Sequence, residues 1–184
     1  MGEQKDRMLV GQPYLADAPD LVAERTACQQ LVGRFNGAAD DATRCGILTQ
    51  LFAGIGADSL VMPRLQCDYG YNVHIGANVF INYDAIMLDC ATITIGDDVS
   101  IGPRAQLLTA LHPMEDHQAH RERWESAAPI TVGANAWLGG GVIVCAGVDI
   151  GADTVIGAGS VVTRDIPARV FAAGNPCRVI RALP

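Results

Sequence analysis

Residues 130–163 read ITVGANAWLGGGVIVCAGVDIGADTVIGAGSVVT, and the spacing within them decides the fold. Stepping by six from Val132 meets Leu138, Val144, Ile150, Ile156 and Val162, aliphatic at every step. The same step joins Ile95, Ile101 and Leu107, and further upstream Ile75, Ile81 and Met87. Seven of these twelve positions are followed at once by glycine: Gly76, Gly96, Gly102, Gly133, Gly139, Gly151 and Gly157. Strand periodicity is two and helix periodicity about 3.6, so neither explains six. A solenoid of short extended segments does: one aliphatic per hexad points inward, and the small residue beside it permits a sharp corner.

The register breaks are as telling as the repeat. Met87 to Ile95 spans eight residues, and Leu107 to Val132 spans twenty-five. A long excursion therefore leaves the solenoid between about Leu111 and Pro129, with the sequence HPMEDHQAHRERWESAA. Excursions of this length usually belong to function or disorder. Upstream, residues 1–60 hold only five of the thirty Val and Ile. There Asp20 precedes a helical stripe of Leu21, Val22, Thr26 or Cys28, Leu31 and Val32, with Glu24, Arg25, Gln29 and Arg34 on the other side. Asn36-Gly37 predicts a left-handed cap, and a second stripe of Cys45, Leu48, Leu51 and Phe52 ends at Gly54 and Gly56. These helices and the segment after Pro167 are expected to close the solenoid's open ends.

At 184 residues the chain fits one domain that can bury a real core. Its net charge of −7 excludes a nucleic-acid backbone as the main partner. Twelve of its thirteen basic residues are arginine, so an anion site must be built from arginine. No 18-residue apolar run exists and residues 1–14 lack the apolar core of an export signal. The six cysteines form no C-x-x-C, and reduced, buried thiols in a soluble cytoplasmic protein are expected.

The [LIV]-G-x4 hexads resemble those of the hexapeptide-repeat transferases. More specifically, YLADAPDLVAERTACQQLVGRFN, CDYGYNVHIG, VFINYDAIMLD, LHP, PITVGANAWLGGGVIV, VIGAGSVVTRDIP and AAGNPCRVIR are similar to successive motifs of the maltose and galactoside acetyltransferases. The resemblance spans nearly the whole chain. It implies a left-handed parallel β-helix of triangular section, three hexads per turn, hence about four full coils plus irregular first and last turns. The implied organisation is a helical segment over 1–57, the β-helix over 58–166 with a loop over 111–129, and a coenzyme-binding cap over 167–184. It also implies a homotrimer with sites between subunits.

The resemblance further implies transfer of acetyl from acetyl-CoA, as co-substrate, to a hydroxyl of a sugar. His112 stands in the His-Pro motif at the loop entry. An imidazole titrates near neutrality, so it can take a proton from the hydroxyl and pass it to the leaving thiolate. Backbone amides near Gly139 and Gly140 are expected to hold the oxyanion. Asp68, Asn82 and Asp84 match positions that line the acceptor cleft, with Asp17 a further acidic candidate. Asn and Asp also serve corner turns, which is the competing reading. Trp137 is expected on the outer surface beside the coenzyme arm or in a subunit interface. Gly140, Ala158 and Ser160 are expected along the pantetheine, and Arg164, Arg178 and Arg181 at the phosphates. Arg178 and Arg181 would grip one phosphate if their stretch turns like a helix. Cys145 has no basic neighbour in sequence, so direct transfer in a ternary complex is preferred to an acyl-thiol intermediate.

No resident metal or cofactor is expected. The competing classes are a chloramphenicol- or streptogramin-type acetyltransferase, a scaffold without chemistry, and a β-helix zinc carbonic anhydrase using His112 and His117. The last leaves Trp137 and the C-terminal arginines without a purpose.

Overall fold

A computed structural model describes residues 2–184. Helix α1 (Glu3–Leu9), a short strand β1 (Tyr14–Leu15), α2 (Pro19–Gly37) and α3 (Asp41–Leu51) precede the solenoid. Pro19 opens α2, where its missing N–H costs nothing. Asp20 is therefore inside the first turn and the cap is Ala18. The expected left-handed cap at Asn36-Gly37 does not form: both residues are helical and the chain leaves through an extended Ala38. Leu21, Cys28, Val32 and Phe35 of α2 are buried, with Ile47, Leu48 and Leu51 of α3; Cys45 is exposed. Asp40 caps α3 by accepting the Thr43 N–H at 2.8 Å.

Six coils follow. The first holds β2 (Gly54–Ile55), β3 (Leu60–Val61) and β4 (Gln66–Cys67). The second holds β5 (Val73–Ile75), β6 (Phe80–Ile81) and β7 (Ile86–Leu88), and the third β8 (Ile93–Ile95), β9 (Ser100–Ile101) and β10 (Gln106–Leu108). After the excursion come β13 (Ile130–Val132), β14 (Trp137–Leu138) and β15 (Ile143–Val144), then β16 (Asp149–Ile150), β17 (Val155–Ile156) and β18 (Val161–Val162). Ile166 bridges to Ile150, and a hairpin of β19 (Val170–Ala173) and β20 (Arg178–Ala182) closes the stack. Parallel pairing from coil to coil makes three sheets, the faces of a prism. This is the parallel β-helix of hexapeptide repeats. The solenoid is longer than the twelve hexads suggest, because Ile55, Val61 and Cys67 hold the same register one coil earlier. Its first strand starts at Gly54, upstream of residue 58.

All twelve hexad residues are buried in one continuous core. The glycine that follows them has a different task from the one expected. A Cβ at Gly133 would lie 2.5 Å from the Ala152 nitrogen, and at Gly102 2.5 Å from that of Gly140. The residue is small because the next coil's backbone passes against it. Left-handed corner conformations fall two residues later, on Asp58, Asn78, Asp98, Asn135 and Asp153. Their side chains bond coil to coil, with Asn78 Nδ2 donating to Asp98 Oδ1 at 2.6 Å and Asn135 Nδ2 to Asp153 Oδ1 at 2.8 Å. Asn and Asp tolerate that conformation best among residues with a Cβ.

The faces differ. One is polar along the ladder His74, Thr94, Thr131, Asp149. A second carries Phe80, Ser100, Trp137, Val155 and Phe171. The third, through Gln66, Ile86, Gln106, Ile143 and Val161, is largely aliphatic.

Candidate active site

The excursion is a built structure. It departs after buried Thr109 through β11 (Ala110–Leu111), crosses α4 (His117–Arg121) and returns along β12 (Trp124–Ala127). β12 pairs antiparallel with β11 on one side and with β1 on the other, Tyr14 facing Glu125 and Leu15 facing Trp124. The N-terminal segment thus pins the excursion to the corner between the aliphatic and polar faces. Asp116 caps α4 through the Gln118 and Ala119 N–H groups.

His112 follows β11 and is exposed in a cleft of about 690 Å³. Arg7, Leu111, Met114, Asp116, Trp124 and Glu125 are among its walls. The Arg7 guanidinium lies 5.4 Å from the Trp124 ring and its Nε donates to the Pro13 carbonyl at 2.6 Å. The His120 ring meets that of His112 edge-on at 6.2 Å.

A smaller pocket of about 220 Å³ shares the Glu125 wall. Asp68 lines it with Tyr14, Arg25, Tyr69 and Cys90. Burial pushes the Asp68 carboxyl above the ordinary range, while the Cys90 thiol and Arg25 pull it back. Burial also lifts the Cys90 thiol to about 12, so it stays protonated and can donate to Asp68 Oδ2 at 3.5 Å. Arg25 donates to the Tyr69 hydroxyl at 2.7 Å and to the Ala16 carbonyl at 2.5 Å. The Tyr14 hydroxyl donates to Glu125 at 3.2 Å, and burial raises its pKa strongly. Asp17 is exposed on the turn after β1, beside Ala16.

Asn82 and Asp84 lie elsewhere, at the corner between the aromatic and aliphatic faces. The Asn82 side-chain oxygen accepts from the Tyr83 N–H at 2.8 Å. Asp84 adopts a left-handed corner conformation and pairs with Arg64 at 2.8 Å. The same corner, higher up, holds Gly140 and Ala158. The Ser160 hydroxyl is consumed internally, donating to the Gly157 carbonyl at 2.5 Å and accepting the Gly174 N–H at 3.0 Å. The residue is 0% exposed and its carbonyl accepts the Ile143 N–H at 2.9 Å, so Ser160 faces the core and not a ligand, against the expected pantetheine contact. Trp137 stands on the outer aromatic face, 57% exposed.

Arg178 and Arg181 are on a strand, not a helical turn. They share a face all the same. Arg178 pairs with Ala173 and Arg181 with Phe171, and a register shift at Phe171/Ala172 leaves Ile180 as the extra residue. Residues 171 and 173 face the same way in their strand, so both arginines do too. Through Phe171, Val155 and Trp137 this face is the aromatic one. Arg164 follows β18 at the corner between the aliphatic and polar faces, apart from that pair.

Sequence reasoning missed Arg25, Tyr14, Tyr69, Cys90 and Glu125. Arg25 sits on the hydrophilic side of its helix, and only the fold brings that side against Tyr69. All six cysteines are free; Cys145 is half-buried, and the Cys28 and Cys67 sulfurs lie 3.5 Å apart inside the core. Among the described residues no three His, Cys, Asp or Glu side chains converge as metal donors. No helix among them is long and apolar enough to cross a membrane.

A hexad prism with an imidazole at the root of its one long excursion and a glycine-lined corner at the far margin of the same face defines the hexapeptide-repeat acyltransferase class. Residues 7–56 match the maltose acetyltransferase hexapeptide capping motif, and residues 129–164 match the bacterial transferase hexapeptide (six repeats). The structure superposes on a maltose O-acetyltransferase from Clostridium difficile 630 with a TM-score of 0.96 and 46% identity, covering 98% of this chain and 97% of that one. A galactoside acetyltransferase in complex with coenzyme A gives 0.94 and 36%, over 100% and 92%. Galactoside O-acetyltransferase of Escherichia coli K12 is 37% identical over 97% of this chain and 88% of its own length. The chain belongs to the maltose and galactoside acetyltransferase family.

Proposed function

We propose that the protein transfers acetyl from acetyl-CoA directly to a sugar hydroxyl, with His112 as general base. The observation that carries this is the pairing of cavities: an exposed imidazole in one cleft, and a polar pocket across the Glu125 wall where Asp68 and Arg25 offer an acceptor and a donor for hydroxyls. His112 would take the hydroxyl proton as oxygen attacks the thioester carbonyl, then return it to the departing thiolate. The Gly140 N–H would receive the oxyanion, since that of Gly139 is already donated to the Ile156 carbonyl at 2.8 Å. Trp137, Arg178 and Arg181 would take the coenzyme along the aromatic face, with the backbone at Gly140 and Ala158. Relatives named for maltose and galactosides support a sugar acceptor, and the coenzyme A complex of one supports the donor.

The site is shared between subunits in this reading. His112 and Asp68 sit at one margin of the aliphatic face, and Asn82, Gly140 and Ala158 at the other. One chain cannot close the two margins on each other, whereas a neighbour packed on that face can. A cyclic trimer does this three times over. Six free thiols suit the reducing cytoplasm.

A panel of maltose, glucose, methyl galactoside and chloramphenicol, read by thiol release from acetyl-CoA, tests the acceptor class. Turnover confined to chloramphenicol overturns the sugar assignment. His112→Ala should cut kcat by about 10²–10⁴ with little change in either KM, and remove the acidic limb of the kcat/KM profile. His117→Ala and His120→Ala should cost far less. A folded His112→Ala enzyme within about tenfold of wild-type kcat would falsify the base assignment.

A further inference from the structure

The turn that presents Asp68 is held from the coil above by one buried carboxylate. Asp89 is 0% exposed. Its Oδ1 accepts the Asp68 N–H at 3.0 Å and the Tyr69 N–H at 2.9 Å, and its Oδ2 accepts the Asn72 N–H at 3.3 Å. The Asn72 side chain returns a bond to the Asp89 carbonyl at 2.7 Å. The next residue, Cys90, reaches the Asp68 carboxylate. Residues 89 and 90 therefore fix both the backbone and the side chain of Asp68. They also fix the backbone of Tyr69, whose hydroxyl receives Arg25. Gly70 completes the turn at φ 77°, where a Cβ would lie 2.5 Å from the Leu51 carbonyl oxygen. The turn cannot relax toward α3, so its position depends on the bonds from above.

A buried carboxylate is a costly way to tie a loop. Burial lifts its pKa to about 6, against the pull of its backbone partners. The cost makes sense where a pocket must be held to a fraction of an ångström, since small misplacements weaken recognition and catalysis disproportionately.

We infer that Asp89 is the positioning residue of the acceptor pocket: it sets Asp68 and the Tyr69–Arg25 pair, and through them the affinity for the acceptor's hydroxyls. This rests on the reading of Asp68 as an acceptor contact. Asp89 touches neither substrate, so its removal acts on the acceptor and leaves the coenzyme alone.

The test is a mutant cycle assayed with maltose or methyl galactoside, whichever turns over, against acetyl-CoA. Asp89→Ala should raise the acceptor KM at least about tenfold while the acetyl-CoA KM stays within about twofold. Asp89→Asn keeps an oxygen for the Asp68 and Tyr69 N–H groups and should restore most of the loss. Adding Asp89→Ala to an Asp68→Ala background should cost clearly less than it does in wild type, because only the Tyr69–Arg25 pair is left to be positioned. If Asp89→Ala does not fold, Asp89→Asn carries the cycle, with a smaller acceptor-specific rise that shrinks in the Asp68→Ala background. Equal rises in both KM values, or a loss undiminished without Asp68, overturns the inference. If Asp68→Ala alone leaves the acceptor KM unchanged, the underlying reading of Asp68 fails instead.

Discussion

Gly133 and Gly141 belong to one coil and are glycine for unrelated reasons. A methyl at Gly133 would collide with the Ala152 backbone, whereas Gly141 has open space around it and φ of 68°. Gly133→Ala must push two coils apart, and should cost about 1–3 kcal/mol or more. Gly141→Ala meets only the left-handed penalty of about 1–2 kcal/mol. Denaturant midpoints should rank them in that order; the reverse ranking removes the stacking argument. Asp89 supplies a pH dependence of its own. Its folded pKa is raised, so its stabilising contribution is complete below about pH 4 and fades as pH climbs through about 6. The shift is worth on the order of 2–3 kcal/mol. Urea unfolding of wild type and Asp89→Asn should therefore show the variant gaining on wild type between about pH 4.5 and about pH 7, and a constant difference removes the assignment.

At the scale of elements, the closing hairpin shows how two arginines three apart reach one face of a strand. The extra residue Ile180 does what a helical turn was expected to do. Changing Arg178 and Arg181 together to Ala should raise the acetyl-CoA KM strongly with kcat within a few-fold, the mark of lost uniform binding. Coenzyme lacking its 3′-phosphate should then bind the variant as well as intact coenzyme does. Continued discrimination between the two would move the phosphate site elsewhere. The strands were legible in the sequence because each inward position answers to the same core, whatever its neighbours. The first coil was expected only as an irregular turn, because Cys67 stands at its third inward position and only Gly56 follows an inward residue there. His112 stood out through the His-Pro motif that the resemblance supplies at the register break, and the fold places it in a cleft. Glu125 was not legible, because its partner Tyr14 comes from strand β1, a two-residue element with no pattern of its own, and Arg25 was not, because only the fold sets its helix against Tyr69 of the first coil.

At the scale of the molecule, the three faces make different offers to solvent, and the aliphatic one separates the two halves of the proposed site. Mixing is the direct check. An inactive His112→Ala protein and an inactive Asn82→Ala protein, denatured together and refolded, should regain part of the activity, since some mixed assemblies carry one intact site. No recovery, with mixed oligomers demonstrated, would put the whole site in one chain. The prism has a second asymmetry. Between successive inward residues two of its corners keep a step of six in every coil, from Ile55 through Val61 to Cys67 and onward to Ile166 and Ala172. The third corner runs eight, eight, twenty-five, six and four residues, from Cys67–Ile75 to Val162–Ile166. Coil-to-coil glycines and the Asn/Asp ladder clamp one of the constant corners, while the variable one merely has to return the chain. All variation in length is thereby written along a single edge, the edge that carries His112 and Asp68. A loop transplanted at residues 145–148 or 163–165 would emerge directly above the cleft, so new acceptor preferences can be added to this scaffold as cargo on one rail without disturbing the frame that bears it.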